Sequence, residues 1–186
     1  MNSFKSSRRN FLGKSSVLLA GGFLLPSSLA FANAEKNTTE LLFTEKDFEE
    51  SNDIRKPFAI AKSVKVWGKI FSKDGKTPLA NTQIKIWHLS PKSKQYGHLG
   101  KFTTNTKGEY TFWTDFPDRE EGKYPRIHFE ITQEGRVTTS ELLLGNDEAH
   151  ITSKHWEKNN VLGKKLFPIM KNGSFETQIN FNITTN

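Results

Sequence analysis

The stretch that decides the fold is Val64–Phe129, which reads VKVWGKIFSKDGKTPLANTQIKIWHLSPKSKQYGHLGKFTTNTKGEYTFWTDFPDREEGKYPRIHF. Its β-branched and aromatic runs are each too short for a helix, and they alternate between two faces at period two. Turn residues such as Asp74-Gly75 and Lys107-Gly108 separate the runs at hairpin-like intervals. The stretch therefore predicts a compact all-β unit. One run shows the alternation clearly, with one face holding Ile84, Ile86 and His88 and the other holding Lys85, Trp87 and Leu89.

Two further strands follow this stretch. Arg136–Leu144 is rich in apolar residues. Ser174–Ile183 alternates between polar residues and Phe175, Thr177, Ile179, Phe181 and Ile183. Such alternation is typical of a half-buried strand, here one that closes a sandwich. The prediction is one all-β domain over residues 64–186, a single β-sandwich of the prealbumin or immunoglobulin type with about seven to nine strands.

The segments around these strands carry weaker patterns. Residues 35–63 are polar and weakly periodic, which predicts an irregular N-terminal arm over the sandwich with one helical turn starting at Thr44. Glu148–Asn159 is also polar and predicts a loop or short helix, anchored by Ile151 and Trp156. Neither segment is expected to form a second domain.

The first 34 residues have the form of an export signal. The pair Arg8-Arg9 precedes the apolar run Val17–Leu25, which is shorter than the roughly 18 residues that a spanning helix requires. Small residues allow cleavage after Ala32 or Ala34. The pattern predicts a cleaved signal of the twin-arginine type, which engages the twin-arginine translocase and leaves a periplasmic or extracellular protein without a stable membrane anchor. An uncleaved anchor and an ordinary Sec signal are the alternatives.

Composition excludes several functions. The chain holds 27 Lys+Arg against 20 Asp+Glu, a net charge of +7. Residues 1–34 contain four of the basic residues and no acidic ones, so their removal leaves 23 basic and 20 acidic residues, a net charge of +3. The basic residues are scattered, which argues against nucleic-acid binding. Because the chain has no cysteine, disulfides, thiolate metal sites and cysteine nucleophiles are excluded.

Five motifs carry a resemblance to a known family. They are GKIFSKDGKTPLANTQIKIWH from Gly68, Gln95-Tyr96, TNTKGEYTFWT from Thr104, Phe116-Pro117 and PRIHF from Pro125. In this order the sequence resembles the intradiol ring-cleavage dioxygenases over about residues 40–183. The resemblance implies a β-sandwich with a non-haem ferric ion, Fe(III), that reacts a small aromatic diol of the catechol type with O₂.

The resemblance also implies a set of iron ligands. The family's block is similar to TxxPGxYxxRxPHIHF, and the same length here reads TDFPDREEGKYPRIHF. Tyr96 matches an earlier tyrosine ligand of the family, and His128 matches its second histidine ligand. Glu120 stands where the family has its second tyrosine, and Arg126 where it has its first histidine. Two of four expected ligands are therefore retained. Lys123 stands in the place of the family's catalytic arginine, so Lys123 and Arg126 are the candidate catalytic residues.

The residues at the two replaced ligand positions determine whether a ferric ion could bind here as it does in the family. Ferric iron favours phenolate and carboxylate oxygens, with imidazole completing the set. Glu120 would supply an anionic oxygen, although it does not donate charge to the metal as a phenolate does. Arg126 lies two residues before His128 on the same strand face, has no lone pair and carries a permanent positive charge. A metal ion at that position would be repelled.

Other arrangements of the same residues are open. In one, Tyr124 supplies the missing phenolate and His98 or His88 the missing imidazole, which gives the set Tyr96, Tyr124, His128 and His98. In another, a divalent ion is held by carboxylate and histidine chemistry from Glu120, Tyr96 and His128. Without a metal, Arg126 would form an ion pair with Glu130 or Glu120. Three large aromatic residues are expected in the core, namely Trp87, Trp113 and Phe129.

A second class of protein shares part of the pattern. Transthyretin-like and carboxypeptidase-regulatory-like modules also carry GxIxxxDGxPLANTxI followed by TxxxGEYxF, and they bind without catalysis. The continuation IW…QY…PRIHF favours the dioxygenases, because a generic module has no reason to contain it. The sequence therefore predicts an exported intradiol-dioxygenase-like sandwich in which ring cleavage is either retained or lost, with the binding module as the alternative.

Overall fold

The structure of the protein, a computed structural model, describes residues 43–185. The export signal expected over residues 1–34 and the first part of the arm expected over residues 35–63 lie outside the described residues. Within residues 43–185, no helix is long and apolar enough to cross a membrane. The helical turn expected at Thr44 is present as a short 3-10 helix, Glu45–Asp47, and the Thr44 backbone N–H donates to the Asp47 carboxylate at 2.6 Å.

The described residues form two sheets packed as a sandwich, which confirms the all-β prediction. The first sheet has the order β1 (Glu49–Glu50), β4 (Tyr96–Thr103), β3 (Gln83–Leu89), β6 (Arg126–Gln133), β7 (Arg136–Leu144) and β8 (Ala149–Ile151). In the second sheet β2 (Ser63–Phe71) is central, with β5 (Glu109–Asp115) on one side, β10 (Glu176–Asn180) and β11 (Ile183–Thr184) on the other, and β9 (Ile169–Asn172) beyond β10. Short pieces such as β1 and β11 bring the strand number above the expected seven to nine.

The core lies between the two sheets and follows the alternation in the sequence. Ile84, Ile86 and His88 are fully buried, as expected for the inward face of β3. Ile84 and Ile86 pack with apolar side chains of the other sheet, including Phe112 and Ile179. Each such side chain contributes about 1.5–3 kcal/mol by leaving water. Of the three large aromatic residues expected in the core, Phe129 is in this cluster, Trp87 is buried in a second cluster on the outer face of the first sheet, and Trp113 is only half-buried beneath Lys65.

The C-terminal strand is divided where the sequence predicted one continuous strand. β10 begins at Glu176 and ends at Asn180, and β11 begins at Ile183. Of the five residues that alternate in the sequence, Thr177, Ile179, Phe181 and Ile183 are buried, whereas Phe175 lies before β10 and is exposed. At the break the Phe181 carbonyl passes directly over Gly68, where an added Cβ would lie 1.7 Å from that oxygen. The Tyr110 hydroxyl donates to the same carbonyl at 2.7 Å. A glycine at position 68 is therefore what allows the two strands to approach.

The region Glu148–Asn159 forms β8 and helix α1 (Ser153–Asn159). The prediction that Trp156 anchors this region is wrong, since its side chain is half exposed, whereas Ile151 is partly buried. The buried residues of α1 are His155 and Asn159. His155 Nδ1 lies 2.6 Å from the Ser140 hydroxyl, and Asn159 donates to the His155 carbonyl at 2.7 Å. After α1 a 3-10 segment, Asn160–Leu166, is broken at Gly163, which has a φ of 57°.

The described part of the arm lies on the outer face of the first sheet. Phe48 is buried against Trp87 and Leu99, and β1 pairs with β4 in parallel. Further along, Ile54 enters the main core. These contacts place the arm directly beside the residues expected to form a site.

Candidate functional site

The structure brings the family's ligand positions together at one end of the first sheet. Tyr96 begins β4, Glu120 lies in the loop after β5, and Arg126 and His128 lie on β6. The Tyr96 hydroxyl donates to Glu120 Oε1 at 2.9 Å. The rings of Tyr96 and His128 have centroids 6.0 Å apart. We call Tyr96, Glu120, Arg126, His128 and their shared partner Glu141 the β6 site.

Glu141 is the functional residue that the sequence analysis missed. It lies on β7, directly opposite His128 in the strand pairing. Its Oε1 accepts from His128 Nδ1 at 3.1 Å, and its Oε2 accepts from Arg126 Nη1 at 3.3 Å. Arg126 therefore pairs with Glu141, rather than with Glu130 or Glu120 as expected. The only signal in the sequence is a single acidic residue in a strand that, after Arg136, is otherwise apolar or hydroxyl-bearing.

Glu130, one of the partners expected for Arg126, has a different cation. Its carboxylate is almost fully buried and accepts from Lys85 Nζ at 3.3 Å. Lys85 also lies 2.6 Å from Glu45 in the arm. Glu130 therefore belongs to the contact between sheet and arm, and takes no part in the β6 site.

Burial and a hydrogen bond to Glu120 both raise the pKa of Tyr96. Burial raises the pKa of Tyr96 to about 12, and the bond to the Glu120 carboxylate acts in the same direction. The pKa of Glu120 is lowered, chiefly by its hydrogen bond from Lys123 and then by that from Tyr96. Lys123, the candidate catalytic cation, thus forms an ion pair with Glu120. Forming a tyrosinate would require the loss of this arrangement.

His128 is held in one orientation by its neighbours. Because an ionised Glu141 only accepts hydrogen bonds, His128 Nδ1 is the donor, and in the neutral ring Nε2 then carries the lone pair. The pKa of Glu141 is lowered, first of all by the hydrogen bond from His128. His128 Nε2 and Arg126 Nε are both buried, and neither has a hydrogen-bond partner among residues 43–185. With a neutral His128 ring, the site holds one acceptor, His128 Nε2, and one donor, Arg126 Nε, in need of a partner.

Aromatic rings enclose His128 from the outer face of the sheet. Trp87 stacks on it with the ring centroids 5.1 Å apart and the planes 8° apart. Phe43, in the arm, lies 5.8 Å from Tyr96 and 6.4 Å from Trp87, measured between ring centroids. The arm therefore covers Tyr96 and Trp87 on the outer face of the sheet.

The structure does not assemble the alternative set of Tyr96, Tyr124, His128 and His98. Tyr124 is half exposed, and its ring lies 5.9 Å from that of His150. The pairing of β3 with β4 shifts register between His88 and Leu89. As a result Tyr96 faces outward with Trp87, whereas His98 faces the core.

His98 and His88 belong to a buried network inside the sandwich. His98 Nε2 lies 2.9 Å from Asp115 Oδ2, and its Nδ1 lies 2.9 Å from the Ser90 hydroxyl. His88 stacks on His98 with the ring centroids 4.5 Å apart. Burial lowers the pKa of both rings, that of His88 to about 3. Both nitrogens of each ring are engaged, so neither ring offers a free imidazole to the β6 site.

A separate groove lies at another part of the sandwich. It has a volume of about 990 Å³ and runs between the end of β4 and the start of β5, with lining residues that include Asn81, Thr103, Asn105 and Thr111. No residue of the β6 site lines it.

Comparison with solved structures places the fold. It is similar to the dioxygenase domain of a dioxygenase–carbohydrate-binding fusion protein from Streptomyces sp. SirexAA-E, with a TM-score of 0.58, 15% identity and coverage of 77% of this chain and 92% of that one. It is also similar to an intradiol ring-cleavage dioxygenase from Tetranychus urticae, with a TM-score of 0.58, 20% identity and coverage of 77% of this chain and 89% of that one. A third similar structure is a chlorocatechol 1,2-dioxygenase from Pseudomonas putida, with a TM-score of 0.57, 16% identity and coverage of 77% of this chain and 68% of that one. No family model and no curated protein matches the sequence. The chain therefore has the fold of the intradiol ring-cleavage dioxygenases.

The β6 site does not fit the ferric ion that intradiol dioxygenases generally use. Within residues 43–185, no group of three or more His, Asp or Glu side chains is placed to hold a metal ion. Both carboxylates of the site are already neutralised, Glu120 by Lys123 and Glu141 by Arg126. The Tyr96 hydroxyl is engaged by Glu120, and the guanidinium of Arg126 stands where the resemblance implies a ligand. In the neutral His128 ring, Nε2 carries a lone pair that no residue of 43–185 engages.

Proposed function

We propose that the protein is exported and that it binds a small aromatic diol of the catechol type at the β6 site without cleaving the ring. The observation that carries the proposal is the ion pair between Arg126 and Glu141. It sets a permanent cation, neutralised by its own carboxylate, where the ring-cleaving family has a metal ligand. The class of ligand rests on the fold, which is shared with enzymes that act on such diols.

The two buried atoms without partners would recognise a hydroxyl group. His128 Nε2 offers a lone pair, and Arg126 Nε offers an N–H. A hydroxyl group both donates and accepts, so one hydroxyl of the diol would pair with both atoms. A buried polar group without a partner costs about 1–3 kcal/mol. Pairing with the diol would remove that cost.

The ring of the diol would take the place that the Phe43 ring fills in the structure. Phe43 contacts Tyr96 and Trp87 edge-on, and such aromatic pairs contribute about 0.5–1.5 kcal/mol each. A ligand ring would make comparable contacts, so exchange of one ring for the other is close to balanced. In this proposal Glu120 and Lys123 keep the Tyr96 phenol protonated as a neutral wall of the site.

Metal analysis and calorimetry test this function. We expect protein expressed with added iron to be colourless and to consume no O₂ with catechol, while calorimetry shows saturable catechol binding. His128→Ala and Arg126→Ala are each expected to weaken binding about tenfold or more. Lys69→Ala is the matched control, because its ion pair with Glu109 lies on the surface. Absence of catechol binding in the wild type would sink the proposal and favour a generic sandwich module.

Ring cleavage by iron is the opposite outcome. It would appear as O₂ consumption and a tyrosinate-to-iron absorption band that disappears in Tyr96→Phe. Restoring the family's ligands supplies a positive control for this assay. The double variant Glu120→Tyr/Arg126→His removes the guanidinium and adds a phenol and an imidazole, and we expect it to bind ferric iron with such a band where the wild type does not.

Export rests on the sequence of residues 1–34 alone. Fractionation of cells that express the full chain is expected to place the wild type outside the cytoplasm. Arg8→Lys/Arg9→Lys is expected to retain the protein inside, because the twin-arginine pathway reads the arginine pair as an address. Unchanged export of this variant would refute the twin-arginine assignment.

A further inference from the structure

A groove at the edge of the sandwich combines polar walls with an aromatic floor. It is the groove of about 990 Å³ between the end of β4 and the start of β5, and we call it the edge groove. Its volume is at the upper end of the roughly 300–1,000 Å³ that small-molecule sites have. A single diol ring would fill only a small part of this space. The edge groove therefore suits a longer ligand than the β6 site does.

The floor of the edge groove is aromatic. Phe102 and Tyr110 both line it, with their ring centroids 6.5 Å apart. Tyr110 is buried and its hydroxyl donates to the Phe181 carbonyl, whereas Phe102 is only partly buried. Phe102 is therefore the ring that a ligand would reach. The face of a phenyl ring carries partial negative charge and attracts the weakly positive C–H groups of a ligand.

Neutral polar side chains surround this floor. Gln83 and Thr103 are direct partners in the pairing of β3 with β4, so their side chains lie next to each other on one face of the sheet. Asn81, Thr106 and Thr111 add one amide and two hydroxyl groups to the lining. These five side chains form no hydrogen bond with another of residues 43–185. Their donors and acceptors are thus open to a ligand.

The charged residues of the edge groove are already paired. The charged lining residues are Glu50, Lys101 and Glu109. Lys101 Nζ lies 3.1 Å from Glu50 and 3.2 Å from Glu45 in the arm. Glu109 lies 3.1 Å from Lys69. A neutral ligand fits such a groove, because it brings no charge that would need a free partner there.

The backbone of the neighbouring strand edge is already engaged as well. The Trp113 N–H donates to the Asn52 carbonyl at 2.8 Å, and the Asn52 amide donates to the Thr111 carbonyl at 3.3 Å. Asn105 exchanges two hydrogen bonds of 2.9 Å with the backbone of Glu109. A peptide that extended the sheet would need these backbone groups. The groove instead offers side-chain groups, between walls that the same bonds hold in place.

We propose that the edge groove binds a neutral oligosaccharide. A sugar hydroxyl both donates and accepts, as amide and hydroxyl side chains do together, so Asn81, Gln83 and Thr103 match it without any charge. The sugar ring would place its C–H groups on the face of Phe102. The volume of the groove leaves room for neighbouring sugar units. This binding uses no residue of the β6 site, so it does not depend on the proposed binding of a diol.

Calorimetry with the full chain tests the proposal. The neutral probes are cellohexaose, maltohexaose and chitohexaose, and the anionic probe is hexagalacturonate. We expect saturable binding of at least one neutral probe and much weaker binding of the anionic one. Gln83→Ala/Thr103→Ala is expected to weaken binding of the neutral probe about tenfold, because two hydrogen bonds are lost. Gln178→Ala/Thr139→Ala is the matched control, since it changes the same residue types on β10 and β7, outside the groove, and should leave the affinity unchanged.

A second variant tests the aromatic floor. Phe102→Leu keeps an apolar side chain against the core but removes the aromatic face, and we expect it to weaken binding of the neutral probe several-fold. Failure of every neutral probe to bind the wild type would refute the proposal. Binding that survives both Gln83→Ala/Thr103→Ala and Phe102→Leu would place the ligand elsewhere.

Two further outcomes would assign the edge groove to another ligand. Tighter binding of hexagalacturonate than of the neutral probes would contradict the argument from charge. Displayed peptides that bind the wild type but not Gln83→Ala/Thr103→Ala, in the absence of oligosaccharide binding, would make the groove a peptide site. Loss of catechol binding by the β6 site has no bearing on any of these results.

Discussion

Replacing Glu141 by Gln tests whether the β6 site is held together by its own charges. The carboxylate accepts from His128 at 3.1 Å and from Arg126 at 3.3 Å. The three side chains are 32%, 17% and 23% exposed for Glu141, His128 and Arg126 respectively, so water screens the pairs only in part. Glutamine keeps the shape but has one acceptor oxygen and no charge.

The expected loss of stability lies between two reference cases. A hydrogen bond to a charged group contributes about 1.5–3 kcal/mol when buried, and an exposed ion pair contributes about 0.2–1 kcal/mol. With two partly buried bonds, we expect Glu141→Gln to lower the free energy of unfolding by about 2 kcal/mol. For a domain of this size that corresponds to a fall in Tm of roughly 4–8 °C.

The assay is urea unfolding followed by tryptophan fluorescence, since Trp87 stacks on His128. Glu109→Gln is the matched control, because Glu109 pairs with Lys69 at 3.1 Å with side chains that are 42% and 39% exposed. We expect this control to lose less than about 0.5 kcal/mol. Equal losses in both variants would refute the view that the site is a self-neutralised unit.

The difference in the free energy of unfolding between wild type and Glu141→Gln should depend on pH. The pKa of Glu141 is lowered in the folded protein by its bond from His128. Its contribution is therefore complete above the unfolded value near 4.5 and is lost as the pH falls through the folded value. The difference between wild type and Glu141→Gln should be present at neutral pH and vanish in acid.

Three further predictions follow from the geometry. Phe43→Ala should tighten catechol binding, because it vacates the position proposed for the diol ring, and calorimetry that shows unchanged or weaker binding would contradict this placement. Gly68→Ala should lose about 3 kcal/mol or more in thermal unfolding, because the new Cβ would meet the Phe181 carbonyl at 1.7 Å and backbone would have to move. Burial lowers the pKa of His88 to about 3 and of His155 to about 4. Both rings are therefore neutral in the folded protein, so stability should be complete above the ordinary histidine pKa near 6.5 and fall as the pH drops toward the folded values. Unfolding curves that coincide at pH 7 and pH 5 would contradict this.

The fold was largely predictable because one face of each strand must be buried. Alternation identified the inward residues of β3 and of the C-terminal strands, and Gly-containing turns identified the connections. The break between β10 and β11 was not predictable, because it depends on the close approach of the Phe181 carbonyl to Gly68 from another strand. The exposure of Trp156 was missed for a related reason. A large aromatic residue suggested an anchor, but the core at that point admits His155 and Asn159 instead.

Only those residues of the candidate site that lie in sequence motifs were predictable; their contacts across strands were not. The motifs gave Tyr96, Glu120, Arg126 and His128 as neighbours, and the structure places them together. The register shift that separates Tyr96 from His98 has no signature in the local sequence, because both residues fall on the same face in an unbroken strand. Pairing across strands is also absent from a single sequence, which is why Glu141 was missed.

The ion pair with Glu141 changes the interpretation of Arg126. Taken alone, a guanidinium at a ligand position indicates only that a metal would be repelled. Opposite a carboxylate that also orients His128, it belongs to a site in which Lys123 pairs with Glu120 and Arg126 with Glu141, so that these charges are balanced without any metal. This balance supports the proposed binding of a neutral aromatic diol, since a neutral ligand adds no charge that must be compensated.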